Sequence, residues 1–399
     1  MARRIFAIIG LGIAMRLAML AVIEPFAHFG GGDDANYLAI ARSLIEHGTY
    51  AVNGAPTFYR PPAYPAFLAA LGAAKGLVLL AQSCLTIGVA VLALITLRSF
   101  LAAALIATSP FLIIYEYSMV AEALLVALVT ASWLIVYVPG ARRAALAGLL
   151  MGGAILTRDT VLFLPLFMIP FGFLLGRSND FLVAAAIAYL VVLPWPIRNA
   201  SLPDGQFVLS QGRAGFNLWI GTWERTNTWM LPDLEHAVYP ADAFANPDQE
   251  RAIRLAFKQG DDRAFARAAT DRIKRHPFTT IKTWIIRYPR LWLGTRTDQA
   301  GLRAERGNRI WTLEKILFFL LNLLTLAAGF AGLGAALLHR HRWSLFAIPV
   351  VYTALVYVPF HNTETRYSLP ALPFLLIFAT YAVIAASRLK SMDGSRPKQ

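Results

Sequence analysis

The sequence predicts an all-α polytopic membrane protein with about ten transmembrane helices. Hydrophobic residues make up 57% of its 399 residues and charged residues only 15%, whereas a soluble surface needs dense charge. The apolar residues gather into segments, and several approach the roughly 20 residues with which a helix crosses a bilayer. The net charge of +14 comes from basic residues at the ends of these segments, which is typical of membrane topology and argues against nucleic-acid binding.

Ten apolar segments follow one another along the chain. The first follows two arginines, Arg3 and Arg4, and is predicted to be an uncleaved helix whose N-terminus is cytoplasmic. The third and the fifth are the weakest, and we expect them to be broken, tilted or extended into polar neighbours. The segments are approximately 5–27, 77–97, 99–115, 119–138, 144–157, 160–176, 181–199, 311–338, 344–360 and 367–387.

The connections between these segments alternate in charge. With a cytoplasmic N-terminus, basic residues should stand in the cytoplasmic connections, and they do. The sequence therefore predicts one transmembrane domain over residues 1–399, with both termini cytoplasmic and two long outer loops, 28–65 and 200–309. The basic connections hold Arg98, Arg142, Arg143, Arg177, Arg340, Arg342, Arg388 and Lys390, and the acidic outer ones hold Asp33, Asp34, Glu116, Glu122 and Glu364.

The longer outer loop contains two predicted helical stretches. The first, over 247–276, is mixed in charge. In the second, over 278–293, Trp and Tyr alternate with Lys and Arg. That composition is typical of a helix lying in the membrane interface.

Two adjacent carboxylates, Asp33 and Asp34, follow the glycines 30–32 in the first outer loop. Neighbouring carboxylates repel each other, so one could hold its proton to higher pH, which suits a general base. The alternative is an N-cap for a helix predicted over 35–46, since Asp at a helix start accepts backbone N–H groups. A cap explains one Asp but not both together with the glycines, so Asp33 is predicted to be catalytic.

Two arginines of the outer face stand at membrane level. Arg60 lies where the first outer loop re-enters the membrane, so it is a candidate phosphate clamp, although snorkelling to lipid phosphates is the alternative. Arg158 interrupts the apolar region 155–173, where charge is costly and usually functional. It runs against the tendency of basic residues to stay cytoplasmic, although it could simply pair with Asp159 at a hairpin apex.

Two further arginines are predicted at the same face. Arg198 ends the seventh apolar segment and again runs against the charge rule. Arg366 lies in a short polar link between the last two segments, where it could merely pair with Glu364.

Acids and arginines gathered at one bilayer edge fit one kind of chemistry. Arginine binds and stabilises a phosphate leaving group, and a carboxylate deprotonates or orients an acceptor hydroxyl. The sequence therefore predicts catalytic roles for Asp33, Asp34 and Glu122, phosphate binding by Arg60, Arg158, Arg198 and Arg366, and substrate binding by Tyr37, Tyr59, Tyr64, Glu116, Glu364 and Tyr367.

The sequence gives only a weak indication of a cofactor. Its seven histidines show no metal-ligand spacing, and His28 near Asp33 is the one pair that suggests a divalent cation. Its single cysteine, Cys84, excludes an intrachain disulfide. The run 30–32 lacks the lysine and the preceding strand of a nucleotide phosphate loop.

Six short motifs occur in an order that resembles the GT-C superfamily of membrane glycosyltransferases. They are most similar to the protein mannosyltransferase and aminoarabinose transferase branch, which includes bacterial relatives that modify lipopolysaccharide. Each motif is weak alone, but together they extend over nearly the whole chain. The motifs are DDANY at 33–37, YRPPAYP at 59–65, AEAL at 121–124, LTR at 156–158, PWPIRN at 194–199 and ETRYSLP at 364–370.

The resemblance implies a GT-C-like fold with juxtamembrane helices on the outer face. It also implies a multi-pass protein of the bacterial inner membrane with a polyprenyl-phosphate sugar donor and an acceptor reached from the periplasmic side. If Asp33 orients the acceptor for direct displacement at the anomeric carbon, the transfer is expected to invert the configuration of the sugar. In the family, the first acid of the pair acts as the base or as the group that orients the acceptor, a role that falls on Asp33. A basic residue before Pro-Pro helps to hold the donor phosphate, a role that falls on Arg60. The second acid is often Glu in the family and is Asp34 here.

A transporter or flippase for a lipid-linked or anionic solute is the main alternative. It would also place arginines and acids among membrane helices. Against it, the polar residues gather at one outer face and not at the midplane, and no inverted repeat is visible in the sequence. A non-catalytic membrane scaffold would leave the concentrated outer charges unexplained.

Overall fold

The structure is a computed structural model that describes residues 1–26, 32–202, 205, 207–209, 214–223, 243–259, 261–296, 312–360 and 364–393. Over these ranges the regular structure is helical apart from one short hairpin, and the predicted all-α polytopic membrane fold is confirmed. The chain divides into two compact units. One comprises 1–210, 295–352 and 369–399, and the other comprises 211–294 and 353–368.

The helices are numbered in chain order over the described residues. Short 3₁₀ turns cover Asp159–Val161, Tyr288–Leu291, Arg342–Phe346 and Thr365–Ala371. The α-helices are α1 (Ala2–Met19), α2 (Asp33–His47), α3 (Ala63–Ala70), α4 (Lys75–Leu97), α5 (Phe100–Ala107), α6 (Pro110–Glu116), α7 (Glu122–Val136), α8 (Ala141–Thr157), α9 (Leu164–Leu174), α10 (Ser178–Val192), α11 (Pro194–Ala200), α12 (Ala214–Gly221), α13 (Pro247–Gln259), α14 (Asp262–Arg275), α15 (Pro277–Arg287), α16 (Leu313–Leu338), α17 (Ala347–Val356) and α18 (Leu372–Asp393).

Four helical stretches of the described chain are long and apolar enough to cross a membrane. They are α4, the continuous stretch Ser178–Ala200, α16 and the stretch Thr365–Ser387. The apolar helices Glu122–Val136, Asp159–Leu174 and Arg342–Val356 are shorter. The expected count of about ten spans stays a prediction.

Three predicted segments differ from the helices that form. The segment 99–115 is broken into α5 and α6 at Ser109, whose extended backbone (ψ 114°) precedes Pro110; a residue before proline avoids the helical conformation. The segment 144–157 begins earlier, at Ala141, so it includes two arginines at its N-terminal end. The first segment is shorter than expected because α1 ends at Met19.

Close approach of two helices, α16 and α18, organises one side of the first unit. A Cβ on Gly332 would lie 1.8 Å from the carbonyl oxygen of Phe378, so only glycine lets the two backbones meet there. Small residues at such contacts are typical of membrane helices, whose association depends on van der Waals packing.

The loop between α2 and α3 contains the hairpin. Strands β1 (Ala51–Val52) and β2 (Ala55–Pro56) pair antiparallel. Asn53 and Gly54 join them with φ angles of 50° and 77°, which is the type I′ turn that suits a two-residue hairpin. This tight turn brings the end of the loop, and with it Arg60, back toward the start of the hairpin.

The second unit contains α12–α15. The helix predicted over 247–276 is wrong as one element: it is two helices, because the Asp261 side chain accepts the N–H groups of Arg263 and Ala264 and starts α14. An aromatic cluster that includes Trp219 and Phe265 forms its core. On α15, Phe278, Ile281 and Ile285 are exposed, which is the apolar face expected of the predicted interfacial helix.

Candidate active site

Both acids of the first outer loop lie in the first turn of α2. Gly32 is the N-cap residue and neither carboxylate caps the helix, so the alternative interpretation of Asp33 as an N-cap is wrong. Carboxylates in a first turn are favoured by the partial positive charge of the helix N-terminus. Asp34 is buried, whereas the Asp33 side chain keeps 26% of its surface exposed. Asp33 is therefore the acid that a substrate can reach.

Asp33 and Arg60 form an ion pair. Nη2 of Arg60 donates to Oδ1 of Asp33 at 2.5 Å, and only 7% of the Arg60 side chain is exposed. The two residues are 27 positions apart in the chain, and the hairpin brings them together. The predicted base and the predicted phosphate ligand thus touch directly.

Two tyrosines flank the Arg60 guanidinium. Its Cζ lies 5.0 Å from the ring centre of Tyr37 and 4.7 Å from that of Tyr59, which is cation–π geometry. Burial lowers the pKa of Arg60, but the charges of Tyr37 and Asp33 outweigh it and hold that pKa above its ordinary value. Arg60 therefore stays positively charged, and its buried Nε has no hydrogen-bond partner among the described residues.

Tyr37 and Tyr64 form the layer beneath this ion pair. Their rings meet edge to face, 5.0 Å apart, and both are buried. Burial raises the pKa of Tyr37 to about 12, against the opposing charge of Arg60, so Tyr37 is neutral at physiological pH. The Tyr64 hydroxyl donates to Oε1 of Gln82 at 3.2 Å. Of the predicted substrate-binding tyrosines Tyr37, Tyr59 and Tyr64, Tyr59 is the most accessible to solvent.

A second ion pair joins Glu122, the first residue of α7, to Arg158, which follows α8. Both side chains are buried. Arg158 thus pairs with Glu122, whereas the alternative interpretation of the sequence paired it with Asp159. The charges of Glu122 and Arg158 both act on the pKa of Tyr37. The charges of both ion pairs, Asp33 with Arg60 and Glu122 with Arg158, therefore act on Tyr37. All four charged residues were predicted to belong to one site.

Arg198 makes its contacts with backbone. Its Nη1 donates to the carbonyl of Thr57 at 2.7 Å and its Nη2 to the carbonyl of Tyr50 at 3.1 Å. Its guanidinium also lies over the rings of Tyr50 and Trp195, at 5.4 and 5.1 Å. The predicted phosphate contact of Arg198 stays a prediction, because its described partners belong to the loop that carries Arg60.

Glu116 lies away from solvent in a network of its own. It is fully buried and accepts two hydrogen bonds from Arg16, from Nε at 2.8 Å and from Nη2 at 2.6 Å. Ser83 donates to the same carboxylate at 3.0 Å, and Gln82 donates to the Glu116 carbonyl at 2.8 Å. In this conformation the carboxylate pairs with Arg16, and the predicted substrate contact of Glu116 stays a prediction.

Sequence reasoning missed Arg16 and Gln82. Arg16 stands inside the first apolar segment, and an arginine there is itself a signal for a buried partner. Gln82 joins Tyr64 to the carbonyls of Glu116 and Ser118. An uncharged side chain in an apolar helix gives no comparable signal.

The remaining predicted residues belong to the second unit. Arg366 is buried, and its Cζ lies 5.0 Å from the ring centre of Tyr367. The Tyr367 ring lies 5.3 Å from that of Tyr357. The roles of Glu364, Arg366 and Tyr367 stay predictions.

The candidate cation site is only partly described, because His28 lies outside the described residues, as do the glycines at 30 and 31. Over the described part of the chain, no three His, Cys, Asp or Glu side chains form a group that could hold a metal ion. The carboxylate of Asp33 is the one predicted ligand whose position is described. A cation at this place stays a prediction.

The fold and the buried charges define a class, a polytopic membrane protein with a site built from buried ion pairs. Among solved structures, the chain is similar to ArnT from Cupriavidus metallidurans bound to undecaprenyl phosphate, with a TM-score of 0.50 and 14% identity. The match covers 95% of this chain but only 60% of that one. No protein-family model and no curated protein matches the chain. At this identity the likeness shows an ArnT-like fold alone, in agreement with the predicted fold class.

Proposed function

We propose that the chain is a glycosyltransferase that moves a sugar from a polyprenyl-phosphate donor to a hydroxyl or phosphate of a lipid, polysaccharide or protein acceptor. The reaction takes place at the non-cytoplasmic face of a bacterial inner membrane. The observation that carries this proposal is the ion pair of Asp33 and Arg60, in which a reachable carboxylate contacts a buried, permanently charged guanidinium.

Arg60 suits the leaving group of a displacement reaction, and Asp33 suits its nucleophile. Arg60 binds the donor phosphate, because guanidinium donors match phosphate oxygens and stabilise the charge of a leaving group. Its buried Nε is available to such an oxygen. Asp33 orients and deprotonates the acceptor hydroxyl. Direct attack at the anomeric carbon then inverts the configuration of the sugar.

The buried pair of Glu122 and Arg158 supports the same site. Ionised side chains at membrane depth are costly and are usually functional. Because both charges act on Tyr37, which itself packs against Arg60, this pair sets the local field in which the donor phosphate binds.

The similar structure of ArnT contains undecaprenyl phosphate, which supports a polyprenyl-linked donor for this chain. Because the identity is 14% and the chain spans 60% of that protein's length, the sugar and the acceptor have to be found by experiment. Cytoplasmic termini and a periplasmic site are part of the proposal and follow from the charge asymmetry of the loops.

The test is transfer by the purified protein in lipid nanodiscs with polyprenyl-phosphate sugars, with products identified by mass spectrometry. We expect Asp33→Asn to lower the rate by about 100-fold or more, since a general base contributes roughly a factor of 10² to 10⁴. The matched control is Asp248→Asn, which alters an exposed first-turn acid that also pairs with an arginine. Full activity of Asp33→Asn would refute the assignment of the base.

The same preparation distinguishes a transporter from an enzyme. Proteoliposomes loaded on one side with the lipid-linked substrate report its movement across the bilayer. The wild-type protein could move this substrate and form no glycosylated product with any polyprenyl-phosphate sugar offered. That result would refute the enzyme and support a transporter. A product that retains the configuration of the donor sugar would contradict direct displacement.

A further inference from the structure

The hairpin of the first outer loop is closed at its open end by hydrogen bonds from outside the loop. Within the hairpin, the N–H of Thr57 donates to the carbonyl of Tyr50 at 3.2 Å. Arg198, from α11, then donates to both of these residues, to the Thr57 carbonyl at 2.7 Å and to the Tyr50 carbonyl at 3.1 Å. One guanidinium thus ties together the residues that flank β1 and β2.

Tyr50 extends this connection to Arg60. Its hydroxyl donates to the carbonyl of Arg60 at 2.9 Å and lies 3.1 Å from that of Pro61. Burial raises the pKa of Tyr50 far above its usual value, so the hydroxyl keeps its proton and can donate. The Tyr50 ring also packs edge to face on Trp195, 5.0 Å away. A continuous set of contacts therefore runs from α11 through Tyr50 to the backbone of the phosphate ligand.

We infer that Arg198 is a positioning residue, which acts through Tyr50 to hold the backbone of Arg60 against Asp33, and that it does not itself bind the donor phosphate. Its effect on transfer rests on the proposed function. Its effect on the loop does not, because the hydrogen bonds exist without substrate.

The contacts of Arg198 with Thr57 and Tyr50, which we call the brace, require arginine at this position. A planar guanidinium presents its N–H groups as a fork, so it can donate to two carbonyls in fixed directions at once. Nη1 of Arg198 also lies 3.0 Å from Oδ1 of Asn199, which fixes the plane of the fork. A lysine keeps the charge but loses this geometry. Replacing Arg198 by lysine therefore distinguishes the two roles. A lysine can still attract phosphate as a point charge, but it cannot form the brace.

The first measurement is hydrogen–deuterium exchange of the full-length protein in nanodiscs without substrate. We expect amides within residues 50–60 to exchange at least about tenfold faster in Arg198→Ala and in Tyr50→Phe than in the wild type, because each change opens the loop locally. The matched control is Arg177→Lys, which alters an arginine that also donates to two backbone carbonyls, those of Val136 and Tyr137, outside the loop 50–60. Unchanged exchange of 50–60 in both test variants would overturn the brace, whatever the activity of the protein.

The second measurement is transfer at varied donor concentration. We expect Tyr50→Phe to lower kcat/KM about three- to tenfold, the factor that corresponds to one hydrogen bond of ordinary net strength. Arg198→Lys should lose as much as Arg198→Ala. The combination of Arg198→Ala with Tyr50→Phe should be no worse than the more severe single variant, because residues that act through one path are not additive.

The opposite pattern identifies a direct phosphate ligand. Arg198→Lys close to wild type, together with multiplying losses in the double variant, would overturn the positioning role. Absence of transfer in the wild type would refute the proposed function alone, since the exchange measurement still decides whether Arg198 orders the loop.

Discussion

Replacing Arg16 by leucine should cost the protein about 3–5 kcal/mol of its free energy of unfolding, because it removes one partner of a buried ion pair. The carboxylate of Glu116 is fully buried and receives two of its hydrogen bonds from Arg16. Among the described side chains, the Ser83 and Thr86 hydroxyls are the donors left to it. Arg16 also donates to the carbonyls of Gly12 and Ala107, so α1 loses a contact with α5 as well.

The size of this loss depends on the charge that is left behind, and a second substitution tests that cause. Arg16→Leu combined with Glu116→Leu removes both charges, and an apolar replacement of a whole buried pair is often neutral or stabilising. We therefore expect the double variant to recover most of the lost free energy. A double variant that is more stable than Arg16→Leu alone would show that the loss comes from the unpaired buried charge of Glu116.

The assay is unfolding of the purified protein in mixed micelles by a strong detergent, followed by tryptophan fluorescence. Arg251→Leu is the control, since its pair with Asp248 is largely exposed and such a pair is worth about 1 kcal/mol or less. If Arg16→Leu unfolded no more readily than Arg251→Leu, the reasoning from burial would be refuted. The same conclusion would follow if the double variant were less stable than Arg16→Leu.

Three further outcomes follow from the site. Arg60→Lys should lower kcat/KM for the lipid-linked donor by about 10- to 100-fold, since one or two charge-assisted hydrogen bonds are lost; donor titration measures it, and a near-normal value would exclude Arg60 as the phosphate ligand. Tyr37 has a folded-state pKa raised to about 12, so the stability it contributes is complete below about pH 10, the usual pKa of tyrosine, and falls as the pH rises through 12. Unfolding midpoints measured against pH should therefore fall less in Tyr37→Phe than in the wild type over this alkaline range, and equal slopes would contradict the shift. Transfer should survive EDTA; loss that Mg²⁺ or Mn²⁺ restores, and that His28→Ala abolishes, would instead support the candidate cation beside Asp33.

Much of the helical fold was predictable because apolar length has a direct physical meaning in a bilayer. The segment 77–97 was predicted almost to the residue, since α4 covers Lys75–Leu97. Helix breaks inside apolar runs were harder to place. Hydropathy alone does not distinguish Ser109 and Pro110 from their neighbours, although proline determines where α6 begins. The break before α14 depends on capping by Asp261 in a charged stretch where any acid could serve.

The candidate site was predictable as a set of residue types and only partly as a set of contacts. The pair of adjacent acids identified Asp33, and charge at membrane level identified Arg60 and Arg158. Their partners could not be predicted, because the contacts between α2 and the loop, and between α7 and the end of α8, join distant positions. Arg198 shows a different limit, since its partners are backbone carbonyls, and a carbonyl is present at every position of a sequence.

The contact at Gly332 has a consequence for biogenesis. Because α16 meets α18 backbone to backbone there, this packing cannot form until the ribosome has synthesised the chain through Phe378 and the translocon has released it. Until then α16 faces lipid with its glycine surface uncovered. A substitution of Gly332 should therefore act late, after insertion of the earlier helices, and should appear as slow maturation and faster degradation of the full-length chain, with little change in its synthesis.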